Sequence, residues 1–262
     1  MNMLRDTQQQ KQFRILVVGD ACLDVYYFGT CDRLSPEAPV PVFKRKKIKT
    51  VQGMCLNVAA NLKAFGHIVK VDRNTEKIRK IRMVDMRSGQ HVLRVDEEPK
   101  VKSVDIRNYT RESILAFDAI VISDYDKGYI RQSDILDVIE PARFRDIPIF
   151  VDSKKKDLSS FEDCIIKINQ KEKSQLIKLP QKYELIVTLG AKGCSWRNTM
   201  FAARKVDVHD VCGAGDVFLS ALVHTYLTTN GDMEESIRFA NKCASISVGK
   251  FGTWVIDPKD II

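Results

Sequence analysis

Ile15-Leu16-Val17-Val18 runs straight into Gly19-Asp20: four apolar residues that stop on a glycine and a carboxylate. The pattern returns in Ala119-Ile120-Val121-Ile122 before Ser123-Asp124 and in Ile147-Pro148-Ile149-Phe150-Val151 before Asp152-Ser153. It returns again in Cys164-Ile165-Ile166-Lys167-Ile168 before Asn169, and in Leu185-Ile186-Val187 before Thr188-Leu189-Gly190. Short apolar runs alternating with helical patterns read as the strands of a parallel α/β sheet covered on both faces. The carboxyl ends of such strands lie along one edge, so the five polar endings converge on one crevice. Open α/β sheets bind their ligands there.

Working outward, Leu56 to Phe65 has helical apolar spacing and stops at Gly66, a C′ glycine. Ile130 to Phe144 places Ile135, Leu136 and Ile139 on one face of a second helix. Asp232 with Glu235 predicts a capping box opening a helix toward Val248. Polar and apolar residues roughly alternate in Val40–Val51 and Gln90–Asp96, which predicts strands of a smaller sheet, a lid over the crevice with its strands near 38–51 and 78–97.

With 262 residues, 44% of them hydrophobic, the chain suits one large domain, or one plus a small appendage. The divisions expected are a polar N-terminal tail over 1–12 and a single domain over 13–262. No apolar run approaches the roughly 20 residues needed to cross a bilayer, and the first twelve residues lack a secretion signal's apolar core. A cytoplasmic protein without membrane partners is expected. The seven cysteines are scattered, with no C-x-x-C pair, against a zinc site or a disulfide framework. A net charge of +8 favours polyanions or phosphorylated small molecules, though runs such as Lys44-Arg45-Lys46-Lys47 also suit a solvated face. No zinc-finger spacing or RNP-like aromatic motif supports nucleic acid as a partner.

The chemistry concentrates in Asp210-Val211-Cys212-Gly213-Ala214-Gly215-Asp216-Val217-Phe218, ahead of an amphipathic helix. Glycines before a helix let backbone N–H groups point at one spot that the helix dipole also makes attractive to anions. A carboxylate in the first turn, Asp216, sits beside that spot and could accept the proton of an attacking hydroxyl. Phosphoryl transfer needs little more than positioning, charge stabilisation, a metal and a base. A turn followed by a helix cap accounts for the same residues more simply.

Asp210-x-x-Gly-Ala-Gly-Asp216-x-Phe218 resembles the C-terminal signature of the PfkB/ribokinase family, and Arg33-Leu34-Ser35-Pro36-Glu37-Ala38-Pro39-Val40-Pro41-Val42 resembles bacterial D-glycero-β-D-manno-heptose 7-phosphate kinases. Val17 to Asp20, Leu23-Asp24, Gly53-x-x-x-Asn57 and Ser123-Asp124-Tyr125-x-Lys127-Gly128 resemble further family segments in the same order. So do Asn169-x-x-Glu172, Thr188-Leu189-Gly190-x-x-Gly193, Asn241 and Val248 to Thr253. The resemblance implies a ribokinase-like three-layer α/β/α fold with a small β-sheet lid, and an ATP- and Mg²⁺-dependent sugar kinase. In it Asp216 is the general base and the N–H groups of Gly213, Ala214 and Gly215 form the anion hole. Asp24, Gly53, Asn57 and Asp124 would meet the sugar, and Lys154 a phosphate. Asn169 and Glu172 would order the metal, through water, while Thr188, Gly190, Gly193 and Asn241 would border ATP. A homodimer through the lid is implied by the same analogy.

The chain departs from the pattern at Gln52-Gly53, at Asp152-Ser153-Lys154-Lys155 and at Val211-Cys212. A strand–helix–strand segment is missing after Val71, and the stretches after Glu172 and around Arg197 to Arg204 are short. Losing a βαβ piece should expose apolar surface unless something compensates. The leading reading is a heptose 7-phosphate kinase. The alternatives are a kinase for another sugar and an impaired relative that binds sugar phosphate or nucleotide. Gly66-His67-Ile68 stands alone, so no adenylyltransferase activity is expected.

Overall fold

The structure, a computed structural model, describes residues 11–261, so most of the expected polar tail lies outside the described residues. In chain order the elements are β1 (Arg14–Gly19), β2 (Ala21–Leu34), β3 (Pro41–Met54), α1 (Cys55–Ala64), β4 (Ile68–Arg73), β5 (Ile78–Asp85) and β6 (His91–Glu97). Then come α2 (Arg111–Ile114), β7 (Ala119–Asp124), α3 (Ile135–Arg143), β8 (Ile149–Ser153), β9 (Cys164–Asn169) and α4 (Gln170–Gln175). The chain finishes with β10 (Tyr183–Thr188), β11 (Cys194–Trp196), β12 (Thr199–Phe201), α5 (Ala214–Thr228) and α6 (Met233–Ser247).

Each of the five apolar runs forms a strand of one eight-stranded sheet, ordered β12-β11-β10-β9-β8-β7-β1-β4. From β4 to β10 all neighbours are parallel, and only β11 and β12 run antiparallel. β8 begins at Ile149, two residues late, because Pro148 has no N–H to give; its carbonyl still accepts from Ile120 at 3.0 Å. Two apolar layers sandwich the sheet. Val58, Leu62, Val217, Leu222 and Ile237 of α1, α5 and α6 cover one face. Ile135, Val138 and Ile139 of α3, with Leu158 and Phe161, cover the other.

The second sheet has four strands, ordered β3-β2-β5-β6. β3 and β6 occupy the stretches where alternation predicts strands, and β5 falls within the expected lid region of 78–97. β2 is the addition. Leu23 and Asp24 therefore lie within a strand rather than in a loop. The second helix is shorter than its periodicity suggests, since a 3₁₀ turn takes Gln132–Asp134. Asp232 Oδ1 accepts the Glu235 N–H at 2.9 Å, which is the first half of the expected capping box. His67 is a core residue: its Nε2 lies 3.0 Å from Nδ1 of His224 on α5, and Phe65 stacks on the His224 ring at 4.3 Å.

The shortening after Val71 is closed by two devices. β4 passes into the lid through buried Asn74, whose Oδ1 accepts the Ala21 N–H at 2.6 Å and whose Nδ2 donates to the carbonyls of Ala21 and Glu76. One amide thus clamps the β4–β5 passage to the β1–β2 passage. The segment from Val101 to Ile114 then lays Val101, Val104, Tyr109 and Ile114 against Leu16 and Val18 of β1. The hydroxyls of Tyr109 and Tyr129 both donate to Asp72 at the end of β4. What stays open is the outer edge of β4, where Ile68 is 52% exposed.

Asn74→Ala strands a buried N–H, which costs about 1–3 kcal/mol; the urea midpoint should fall, and an unmoved midpoint removes the clamp from the account. Burial lowers both His67 and His224, the latter to about 4 with His67 adding to the effect. Both rings are ordinary in the unfolded chain, so their contribution is full above about pH 6.5 and lost as pH falls toward 4. The thermal midpoint should decline through that window, and less so in His224→Phe. Equal declines in both proteins count against the pair.

Candidate active site

Gly213 ends the approach to α5 at φ 77°, and a Cβ there would sit 2.9 Å from Asn57 Nδ2. Glycine is required twice over, by the left-handed backbone and by the close approach of α1. The first-turn N–H groups of a helix lack intrahelical partners. Here the Ala214 N–H turns back to the Val211 carbonyl at 3.3 Å, and Ala214 and Gly215 line a cavity of about 340 Å³.

Asp216, 3% exposed, stands on the first turn of α5. Its Oδ2 accepts from Asn57 Nδ2 at 2.9 Å and its Oδ1 from the Tyr125 hydroxyl at 2.8 Å. Burial pushes its carboxyl up to about 6, against the pull of those two hydrogen bonds. A general base working near neutral pH wants such a value.

Beside it, Lys167 Nζ of β9 lies 2.8 Å from where a Gly215 Cβ would be, and 2.7 Å from Asp152 Oδ2. Asp152 also receives Lys154 at 3.1 Å, and Lys154 reaches Glu172 at 2.5 Å. Burial pushes the Asp152 carboxyl up, but the ammoniums of Lys167 and Lys154 outweigh it and hold it below the usual carboxylate range. Lys154 is the reverse case, with Asp152 and Glu172 overcoming burial to raise it. Two lysine side chains thus meet Asp152 at the sheet edge, and Lys167 lies against the anion-attracting end of α5.

The lid side holds Asp24, 6% exposed. Arg82 of β5 donates to its Oδ1 at 2.5 Å and Thr253 to its Oδ2 at 3.1 Å. A Cβ on Gly53 would meet Asp24 Oδ2 at 2.3 Å, so the glycine is there to let β3 pass the carboxylate. Residues paired across a ladder share a face. Lys49, Tyr26, Arg82 and Arg94 therefore form one row across the lid, and Val51, Asp24, Lys80 and Asp96 the next. On that face Asp24 pairs with Arg82 and Asp96 with Arg94, and Lys49 and Lys80 add two further cations.

Thr188, Gly190, Gly193 and Asn241 all line the 340 Å³ cavity, with Phe218, Val206 and Val248 as its apolar wall. Asn241 also donates to the Phe201 carbonyl at 2.7 Å, tying α6 to β12. A larger groove, about 1370 Å³, lies at the opposite edge, by the amino ends of β8, β9 and β10, away from these residues.

Three expected residues are engaged differently. Asp124 has no exposed surface, and its oxygens serve Ser153, the Asp126 N–H and Lys155, so it holds a loop rather than facing a sugar. Asn169 and Glu172 form a reciprocal capping box on α4, and Glu172 also pairs with Lys154. Among the described residues no group of three or more His, Cys, Asp or Glu side chains is placed to hold a metal ion. A single carboxylate with an amide suits an ion that keeps its own water shell.

Sequence reasoning passed over Lys167, Tyr125, Arg82 and Thr253. Lys167 had a signal: it is the one charged side chain in a strand otherwise apolar and covered on both faces. Such a residue stays only with a partner.

The described residues contain no helix long and apolar enough to cross a membrane. Residues 67–260 match the profile of the pfkB family carbohydrate kinase. The Bifunctional protein HldE of Campylobacter curvus is 31% identical over 93% of this chain and 63% of its own length, and that of Nitratiruptor sp. 33% identical over 91% and 62%. The chain thus spans somewhat under two thirds of the curated relatives it matches. The first of those alignments runs over 297 positions, more than the 262 residues this chain has, so the relative carries residues with no counterpart here. Phosphofructokinase-2 from Escherichia coli, in complex with potassium, superposes with a TM-score of 0.73 at 19% identity, covering 95% of this chain and 97% of that one. Arabidopsis thaliana ribokinase, complexed with ribose and ATP, gives 0.70 at 17%, covering 96% and 98%. These similarities make the fold ribokinase-like, with a large, mostly parallel sheet and a four-stranded lid, and the chain belongs to the pfkB family of carbohydrate kinases.

Proposed function

We propose that the chain transfers the γ-phosphoryl group of ATP to the anomeric hydroxyl of D-glycero-β-D-manno-heptose 7-phosphate. The observation that carries this is the place of Asp216, on the first turn of the helix whose Ala214 and Gly215 line the 340 Å³ cavity, and hydrogen-bonded to Asn57 of α1. In this reading the cavity takes ATP, with its γ-phosphate toward Gly215 and Lys167. The acceptor lies between Asn57, Asp24 and the lid. Asp216 takes the hydroxyl proton, the freed oxygen attacks the γ-phosphorus, and ADP leaves. The helix end with Lys167 and Lys154 offsets the charge that develops. Mg²⁺ would arrive on the ATP phosphates, its water shell ordered by Glu172 and Asn169, and would neutralise phosphate charge.

The cation rows of the lid favour an acceptor that already carries a phosphate, and the Arg33 to Val42 segment with the HldE relatives favours a heptose. The test is a coupled assay of ADP release with Mg²⁺ across sugars and sugar phosphates. Heptose 7-phosphate should be turned over fastest, with the unphosphorylated heptose far slower. Equal rates for the two contradict the acceptor class, and nucleotide binding without turnover of any acceptor favours the impaired relative.

Asp216→Asn should lower kcat by on the order of a hundredfold to ten-thousandfold while ATP affinity holds. Because the carboxyl is raised to about 6 and must be ionised to act, kcat/KM should fall as pH drops through about 6. A flat profile down to pH 5, or normal turnover by the asparagine variant, refutes the assigned base.

A further inference from the structure

We propose that Tyr125 is a positioning residue for Asp216, its hydroxyl fixing the angle of the carboxylate and holding it ionised. This rests on Asp216 as base, the reading proposed above. The contact is specific: the phenol donates to Asp216 Oδ1 at 2.8 Å, across ninety-one residues of sequence. The loop that carries Tyr125 is fixed from both sides. Asp20 accepts the N–H groups of Tyr125 at 2.8 Å, Lys127 at 3.1 Å and Tyr129 at 3.3 Å. Lys155 binds Asp124 and Asp126, the residues flanking Tyr125, at 3.1 and 2.9 Å. The ring lies within 5.2 Å of Lys154 Nζ and 5.3 Å of Lys80 Nζ, so a cation from the sheet edge and one from the lid both rest on it.

A carboxylate on a freely turning side chain presents its oxygens in many directions. Asp216 has one oxygen held by Asn57 of α1 and the other by Tyr125 after β7, which sets the plane of the group. Each oxygen keeps a lone pair for an incoming hydroxyl. Tyr125 retains its own proton throughout, since burial and the Asp216 charge push the phenol well above its usual range. It donates a hydrogen bond and transfers nothing.

The other groups that bear on the charge of Asp216 are Asp152 on β8, Lys167 on β9, Cys55 on α1 and Cys22 on β2. Lys154 and Lys80 stand over the Tyr125 ring. All remain in Tyr125→Phe, so that variant isolates one hydrogen bond to the ionised form, and losing such a bond raises a carboxyl pKa. The acid limb of kcat/KM should move to higher pH by about one unit. The loss is then about tenfold below the limb and small at pH 8.5, while KM for ATP is unchanged because Tyr125 does not line the nucleotide cavity. Difluorotyrosine at position 125, a stronger donor of the same shape, should move the limb the other way. A carbon-13 NMR titration of the Asp216 carboxyl reads the same shifts without turnover, and so separates this proposal from the kinase reading. If the acceptor screen is silent but the two titrations diverge as stated, Tyr125 still positions Asp216. If the Asp216 titration is the same with tyrosine, phenylalanine and difluorotyrosine, the proposal is wrong whatever the turnover.

Discussion

A carboxylate withdrawn from water at the amino end of a helix has to be held by the protein itself, and that constraint organises both sheets here. Asp216 is 3% exposed and receives Asn57 from one layer and Tyr125 from the strand edge. Hydrogen bonds to a charged group are worth about 1.5–3 kcal/mol each, comparable to the desolvation they offset. Neither donor is free to wander. Asn57 is 1% exposed, in the first turns of α1, and the Tyr125 loop is gathered by Asp20. The same arrangement recurs one step away, where Lys167 and Lys154 keep Asp152 ionised inside the sheet edge. The crevice is therefore a set of buried charges, each satisfied by partners on other elements.

The lid carries a buried charge pair of its own and is tied to the end of the chain by a hydrogen bond. Arg82 of β5 reaches Asp24 with both side chains 8% exposed, and Thr253 closes on the same carboxylate from the far end of the chain. A buried pair of this kind adds little net stability but makes separation of its members expensive. Its effect is to fix β2 against β5 within the lid sheet. The economy of the chain after Val71 fits that picture. With no strand and helix intervening, Asn74 performs the turn and the Val101 to Ile114 segment covers the face of β1.

Five strands of the large sheet were legible because they are apolar on both faces and are punctuated by polar residues at the crevice edge, whereas β4, β11 and β12 at its margins were not. Two lid strands, β3 and β6, were legible from alternation. β2 was not, since Asp24, Val25 and Tyr26 are buried in succession and its run breaks the simple period. Within the site, Asp216 and the glycines of the α5 approach could be read from residue type and spacing, and Asn57 from the family resemblance. Tyr125 and Arg82 could not, as their bonds to Asp216 and Asp24 join positions 91 and 58 residues apart, which no local pattern records. Asp124 shows the opposite error. An acid at a strand's carboxyl end reads as a ligand, but Lys155 and Ser153 consume it, and only the packed structure reveals that.

The most direct test of the account is a crystal structure of the chain with a non-hydrolysable ATP analogue and heptose 7-phosphate bound together. The anomeric hydroxyl should lie within about 2.6–3.2 Å of an Asp216 oxygen, with the terminal phosphate of the analogue beside Gly215 and Lys167. An acceptor that binds elsewhere, or one whose hydroxyl turns away from Asp216 while both ligands are in place, contradicts it.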